Sequence, residues 1–113
     1  MTKYSECREV REQASNGSSL SALINGPVGW LMFLRGPEDA GFSSRNPEYN
    51  GPPDATVEYM LDNGQVDEYP ASWAFSTATV ERALAFFRAK GKPPSFICWH
   101  NDSGDGTTCG VEA

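Results

Sequence analysis

Val80, Leu84 and Phe87 fall at i, i+4 and i+7, with Ala83 on the same stripe, so the stretch from about 77 to 90 reads as a helix with one face buried. Ser76 or Thr77 can offer a side-chain oxygen to the unpaired N–H groups of the first turn, and Glu81 lies near the positive end of the helix dipole. At the other end Arg88 and Lys90 occupy the last turn, Gly91 suits a left-handed cap, and Pro93-Pro94 forbids continuation. A helix with one apolar stripe needs a sheet to lie on. Ser95 to Trp99, S-F-I-C-W, is a short apolar run of strand type.

Further strands lie upstream. Gly29 to Arg35, G-W-L-M-F-L-R, is apolar throughout and short, which suits a central strand. Ala55 to Leu61 alternates, with Val57, Tyr59 and Leu61 on one face and Thr56, Glu58 and Met60 on the other. Asn63-Gly64 is the preferred pair for a two-residue type I′ hairpin, the chain returns over Gln65 to Tyr69, and Pro70 stops the ladder. Trp73 and Phe75 then anchor the crossover into the helix. Ser18 to Ile24, followed by Asn25-Gly26-Pro27, reads as a two-turn helix with serine caps and a stop. Tyr4 to Gln13 is charged and weakly alternating, either an edge strand or a frayed first segment. The sum is α+β: a mainly antiparallel sheet of about five strands, with one long C-terminal helix at about 77–90 and one short N-terminal helix packed on it. The 113 residues suit a single domain, 1–113, with a flexible polar tail at 101–113.

The net charge of −6 and pI near 4.6 argue against direct nucleic-acid binding, which needs clustered Lys and Arg to neutralise phosphates. A basic protein or a cation suits this charge better. No run is long and apolar enough to span a bilayer, and Met1 to Glu6 lacks the apolar core of an export signal, so no membrane association and a cytoplasmic location are expected. Cys7, Cys98 and Cys109 form no C-x-x-C pair. Reduced thiols are expected, with Cys98 a small core group and a Cys98–Cys109 disulfide the alternative.

Three patterns invite a chemical reading and fall short of it. Asn101, Ser103, Asp105, Gly106 and Glu112 occupy five positions of a calcium loop, but Asn replaces the first Asp and a strand precedes it where a helix is required. Cys98, His100 and Cys109 lack a fourth ligand and paired zinc spacing. His100 beside Asp102 and Ser103 has no nucleophile that spacing alone can place. The sequence therefore predicts no catalytic residues, no metal and no cofactor.

The order G-W-L-M-F-L, A-T-V-E-Y-M-L-D-N-G, Y-P, V-E-R-A-L-A-F-F-R-A-K-G and K-P-P-S-F-I-C-W resembles the first-numbered family of immunity proteins from bacterial polymorphic toxin systems. The matching positions include Ala83, Leu84, Phe87, Gly91, Lys92, Pro93 and Trp99, and the likeness runs best from Thr56 to Trp99. The resemblance implies a cytoplasmic antidote that binds a cognate secreted toxin domain one-to-one and blocks its active site. Partners of such proteins include cytidine deaminases that act on DNA, whose catalytic zinc would belong to the toxin.

A DNA-modifying partner must offer a positive groove, and the acids here are concentrated accordingly. From Gly36 to Tyr69 stand Glu38, Asp39, Glu48, Asp54, Glu58, Asp62, Asp67 and Glu68 against the single base Arg45. The candidate toxin-binding residues are Glu38, Asp39, Asp54, Asp67 and Glu68, together with Arg45, Asn46, Glu48, Tyr49 and Asn50 of the long polar loop, which mix charge, amide and aromatic ring. The other reading of the same surface is a small acidic binding or adaptor module for another protein or a cation.

Overall fold

The computed structural model describes residues 4–102 and 107–108. In chain order the elements are β1 (Cys7–Gln13), β2 (Ser19–Asn25), β3 (Val28–Leu34), β4 (Phe42–Arg45), β5 (Thr56–Met60), β6 (Val66–Pro70), a 3-10 turn (Ala71–Trp73), β7 (Phe75–Ser76), α1 (Thr77–Lys90), β8 (Cys98–Asn101) and β9 (Thr107–Thr108). The class is α+β, and every strand pairing is antiparallel. A seven-stranded sheet runs β1-β2-β3-β4-β8-β9, with β7 paired to β3, and β5-β6 forms a second sheet.

Three layers result, because β2 and β3 are apolar on both faces. Leu20, Ala22 and Ile24 of β2 join Leu31 and Phe33 of β3 against Val80, Ala83, Leu84 and Phe87 of α1. Leu23 and Trp30 point the other way and pack on Tyr59, with Val57, Leu61, Tyr69 and Trp73 around them. The register agrees: Leu20 faces Phe33, Ala22 faces Leu31 and Leu23 faces Trp30. Burying one such side chain contributes about 2 kcal/mol, so the central strands draw stability from both layers.

The helix spans the residues that its periodicity marks. Ser76 Oγ accepts from the Thr79 N–H at 3.3 Å, and Gly91 caps the far end at φ +71°, its N–H donating to Phe87 O. It lies inside the fold with β8 after it, so it is not a C-terminal helix. Its start is pinned by Thr77, whose N–H and hydroxyl donate to Pro27 O and Gly26 O. Two ion pairs tie its flank to β1, Arg8–Glu81 and Arg88–Glu12. Four residues of strand cover about 13 Å and seven residues of helix about 10 Å, so both contacts form only because strand and helix run side by side in the same direction.

Several expectations fail for physical reasons. The segment expected to be an N-terminal helix is instead β2, Ser19–Asn25, because alternate residues are claimed by two different layers, which a helix cannot serve. Among the described residues the expected five or so strands become nine, in two sheets. Phe42–Arg45, to which the sequence assigns no element, is a strand whose serines are buried, and Ser44 Oγ accepts from Leu31 N–H while donating to Trp73 O. The last apolar run enters the sheet later than expected, at Cys98–Asn101. The β5–β6 turn is not type I′, since among the described residues only glycines have positive φ. Leu61 N–H bonds Gln65 O across a three-residue loop, with Gly64 at φ +92°.

Cys98 is disulfide-bonded whereas Cys7 keeps its thiol, so the expectation of reduced thiols fails at Cys98. Cys109, most of the polar tail, and Ser103, Asp105, Gly106 and Glu112 of the calcium-like pattern lie outside the described residues.

Candidate functional site

The ten candidate residues do not form one surface. Glu38 and Asp39 sit in the β3–β4 connection, while Arg45 ends β4 and Asn46 to Asn50 follow it, so a four-residue strand of about 13 Å lies between the two groups. Asp39 is bound by Arg35 through two side-chain hydrogen bonds, at 2.9 and 2.8 Å, and accepts the Arg35 backbone N–H as well. Those hydrogen bonds hold its carboxyl far below the usual carboxylate range. Glu38 is exposed.

Within the loop, much of the polarity is structural. Asn46 Nδ2 donates to Ala74 O and its Oδ1 accepts the Glu48 N–H, and Tyr49 OH donates to Pro52 O at 2.7 Å. Glu48, Asn50 and Asp54 are exposed. Arg45 lies over the Trp73 ring at 3.6 Å and donates to Ser43 Oγ and Ser44 O. Burial lowers its pKa, with nearby Asp102 opposing. Beneath it the rings continue: Trp73 to Tyr69 at 5.9 Å, then Tyr69 to Trp30 at 4.3 Å and nearly parallel. Trp30 and Trp99 are core residues, as their apolar surroundings suggest, while Trp73 is half-buried.

Asp67 and Glu68 are adjacent in sequence and opposite in space. Asp67 shares the inner face with its cross-strand partner Tyr59, and accepts from Gln65 Nε2 at 2.7 Å and Tyr69 OH at 3.2 Å. Burial, then Asp67, raise the Tyr69 pKa. Glu68 faces outward, opposite Glu58, and accepts from Thr56 Oγ1. Tyr4 OH donates to Glu58 at 2.9 Å.

An open groove of about 440 Å³ adjoins the loop, lined by Asn46, Glu48, Phe75, Thr79, Arg82 and Phe96 among others. Among the described residues Phe96 is one of two large apolar side chains left exposed. Arg82 lies 4.3 Å over its ring and Phe86 meets it edge-on. Arg82, Phe96, Trp73 and Glu58 escaped the sequence-level candidates. Phe96 lay in a run that read as strand, Trp73 read as an anchor of the crossover, Glu58 counted only among the acids, and Arg82 lay in a helix stretch read as structural.

Chemically, the surface can bind and shows no assembled catalytic group. The Ser43 hydroxyl donates to Asp102 at 3.0 Å and accepts from Arg45, so neither role falls to an imidazole. His100 Nε2 is 3.8 Å from the same Asp102 oxygen. Among the described residues no group of three or more His, Cys, Asp or Glu could hold a metal, and no helix is long and apolar enough to cross a membrane.

A family model described as Immunity protein Imm1 matches residues 3–101. No curated protein and no solved structure matches.

Proposed function

From the premise that this chain belongs to the Immunity protein Imm1 family, we propose that it is a stoichiometric antidote in interbacterial competition. It binds a cognate secreted toxin, a cytidine deaminase acting on DNA, and occludes the active site without turnover. Immunity function and a cognate toxin follow from the family. The deaminase, the one-to-one complex and the cytoplasmic location are our reading, built on the antidote role that the family match over residues 3–101 supports.

The physical support is electrostatic. An enzyme that handles DNA needs a positive groove, and an acidic chain can enter such a groove in place of phosphate, arriving at up to about 10⁸ M⁻¹s⁻¹ at low salt. The exposed acids Glu38, Glu48, Asp54 and Glu68 are the available contacts, whereas Asp39 is committed to Arg35. The Cys98 disulfide is at odds with the reducing cytoplasm. Alkylation of thiols in intact cells decides between them.

The test is co-expression with the toxin domain encoded beside this gene, followed by pull-down of purified proteins at low ionic strength. Rescue of growth and a salt-sensitive nanomolar complex are expected. Continued killing with no recovered complex overturns the reading.

A further inference from the structure

We infer that β1 is the docking edge for a second copy of this chain: two β1 strands pair antiparallel about a two-fold axis at Val10 and join the large sheets of two molecules into one. The inference stands apart from the toxin reading and concerns an edge of the fold which that reading does not use.

β1 is the outermost strand of the large sheet and pairs with β2 alone. Its register with β2 runs unbroken from Cys7 to Gln13, with no proline, glycine or bulge to blunt the edge. The Ala14 N–H bonds Ser18 O and the Gly26 N–H bonds Glu6 O, so the even-numbered residues are those whose main chain faces β2. Glu9, Arg11 and Gln13 therefore present their N–H and C=O groups outward, where no strand among the described residues receives them. Cys7 presents its C=O alone, because its N–H is bonded to Tyr4 O.

An edge guarded by charges of one sign repels its own copy, whereas C-R-E-V-R-E-Q is its own complement. Antiparallel pairing centred on Val10 sets Glu9 opposite Arg11 of the second copy, Arg8 opposite Glu12, and Val10 opposite Val10, and symmetry repeats each charged pair. The same register lets the outward groups of Glu9 and Arg11 exchange hydrogen bonds, and with Cys7 and Gln13 the ribbon gains about six main-chain bonds. The neighbouring registers that bring outward groups together are centred on Glu9 or on Arg11. The first opposes two carboxylates and the second two guanidinium groups, so charge selects the Val10 register.

Both layers flanking the edge suit this pairing. On the helix side Arg8 and Glu12 are already held by Glu81 and Arg88 of α1, so the junction carries a row of alternating charge from one helix to the other. Val10, half-buried against the helix-side core, meets its counterpart at the axis. On the opposite side Glu9 accepts the Asp62 N–H at 3.0 Å, which places a second, exposed acid beside the carboxylate that an incoming Arg11 meets. Arg11 itself is exposed and enters no ion pair among the described residues. A single ribbon of this length is a small interface, so the dimer is weak, with a dissociation constant of about 10–100 μM.

The test is sedimentation equilibrium of the purified free chain at low salt, from about 5 μM to about 500 μM, a range that spans such a constant. Wild type should pass from monomer to dimer. Arg11→Glu and Glu9→Arg should each weaken self-association by about tenfold or more, since each places like charges opposite one another. An equimolar mixture of the two should dimerise again, because one strand then carries acids at both positions and the other bases. The double variant Glu9→Arg/Arg11→Glu should dimerise by itself. Glu9 also supports the Asp62 N–H, and recovery in the mixture separates lost pairing from lost structure. Amide exchange supplies the placement: the Arg11 and Gln13 N–H groups should exchange more slowly as concentration rises. A wild-type chain that stays monomeric throughout overturns the inference. A dimer that neither single variant weakens, or a mixture that fails to recover, overturns the assignment to β1.

Discussion

The guanidinium of Arg45 lies 3.6 Å above the ring of Trp73, and this contact joins the end of β4 to the aromatic stack beneath the hairpin. A planar cation on an indole face, partly shielded from water, contributes about 1 kcal/mol, and an ammonium cannot reproduce the stacking. Arg45→Lys should therefore lower stability by about 1 kcal/mol in chemical denaturation. Trp73→Ala, which removes the support under both Arg45 and Tyr69, should cost about 3 kcal/mol. Equal effects from the two changes would mean that the stack is not a unit.

Tyr59 is almost fully buried, and its hydroxyl finds no partner among the described residues. Leaving such a group unsatisfied costs about 1 kcal/mol or more, so Tyr59→Phe should raise stability by about that amount. Burial also pushes the Tyr59 pKa well above its ordinary value. A raised folded-state pKa favours the protonated form, so its contribution is complete below the unfolded tyrosine value near 10 and is lost as pH rises beyond it. Unfolding temperature followed from pH 8 to 11 should fall less steeply for Tyr59→Phe than for wild type.

Asp39 works in the opposite sense. Hydrogen bonds from Arg35 depress its folded pKa, so its contribution is present above the unfolded aspartate value near 4 and fades as pH drops towards the folded one. Arg35 is exposed while Asp39 is half-buried, so the pair is partly open to screening. Asp39→Asn should lower the melting temperature modestly at pH 6 and converge on wild type in strong acid. High salt should narrow the gap at pH 6.

The helix makes three graded predictions for denaturation midpoints. Leu84→Ala, deep in the larger core, should cost about 3 kcal/mol. Ser76→Ala removes the oxygen that accepts the Thr79 N–H and should cost about 1 kcal/mol. Gly91→Ala meets no close atom, since the nearest stands 3.7 Å from its Cβ, so its cost of about 1 kcal/mol is conformational strain at φ +71° alone.

Legibility along the chain followed how local the governing interaction is. Helix α1 was readable end to end, because its stripe, its Ser76 cap and its Gly91 stop are all within a few residues of what they control. The β5–β6 hairpin was readable for the same reason, its inner and outer residues alternating strictly. Ser18 to Ile24 was not: serine caps and a following Gly26-Pro27 fit a short helix equally well, and only packing between two layers makes the segment a strand. Phe42–Arg45 was hidden because serine signals a loop unless something distant bonds its hydroxyl, as Leu31 and Trp73 do for Ser44. Of the candidate surface, the acidic bias was plain in the sequence. That Asp39 is neutralised, that Asp67 and Glu68 face opposite ways, and that Arg82 and Phe96 border a groove were not.

By itself the sequence determined the α+β class, the single long helix, the hairpin with its inward and outward faces, and the concentration of acid between Gly36 and Tyr69, since each depends on periodicity, capping or composition along a short stretch. Tertiary structure alone decided that the hairpin is a separate layer, and that Glu58 and Glu68 face away from the core while Asp67 faces inward. Those outcomes depend on which distant side chains share a core and which charges find partners across the fold, and no spacing along a chain encodes that.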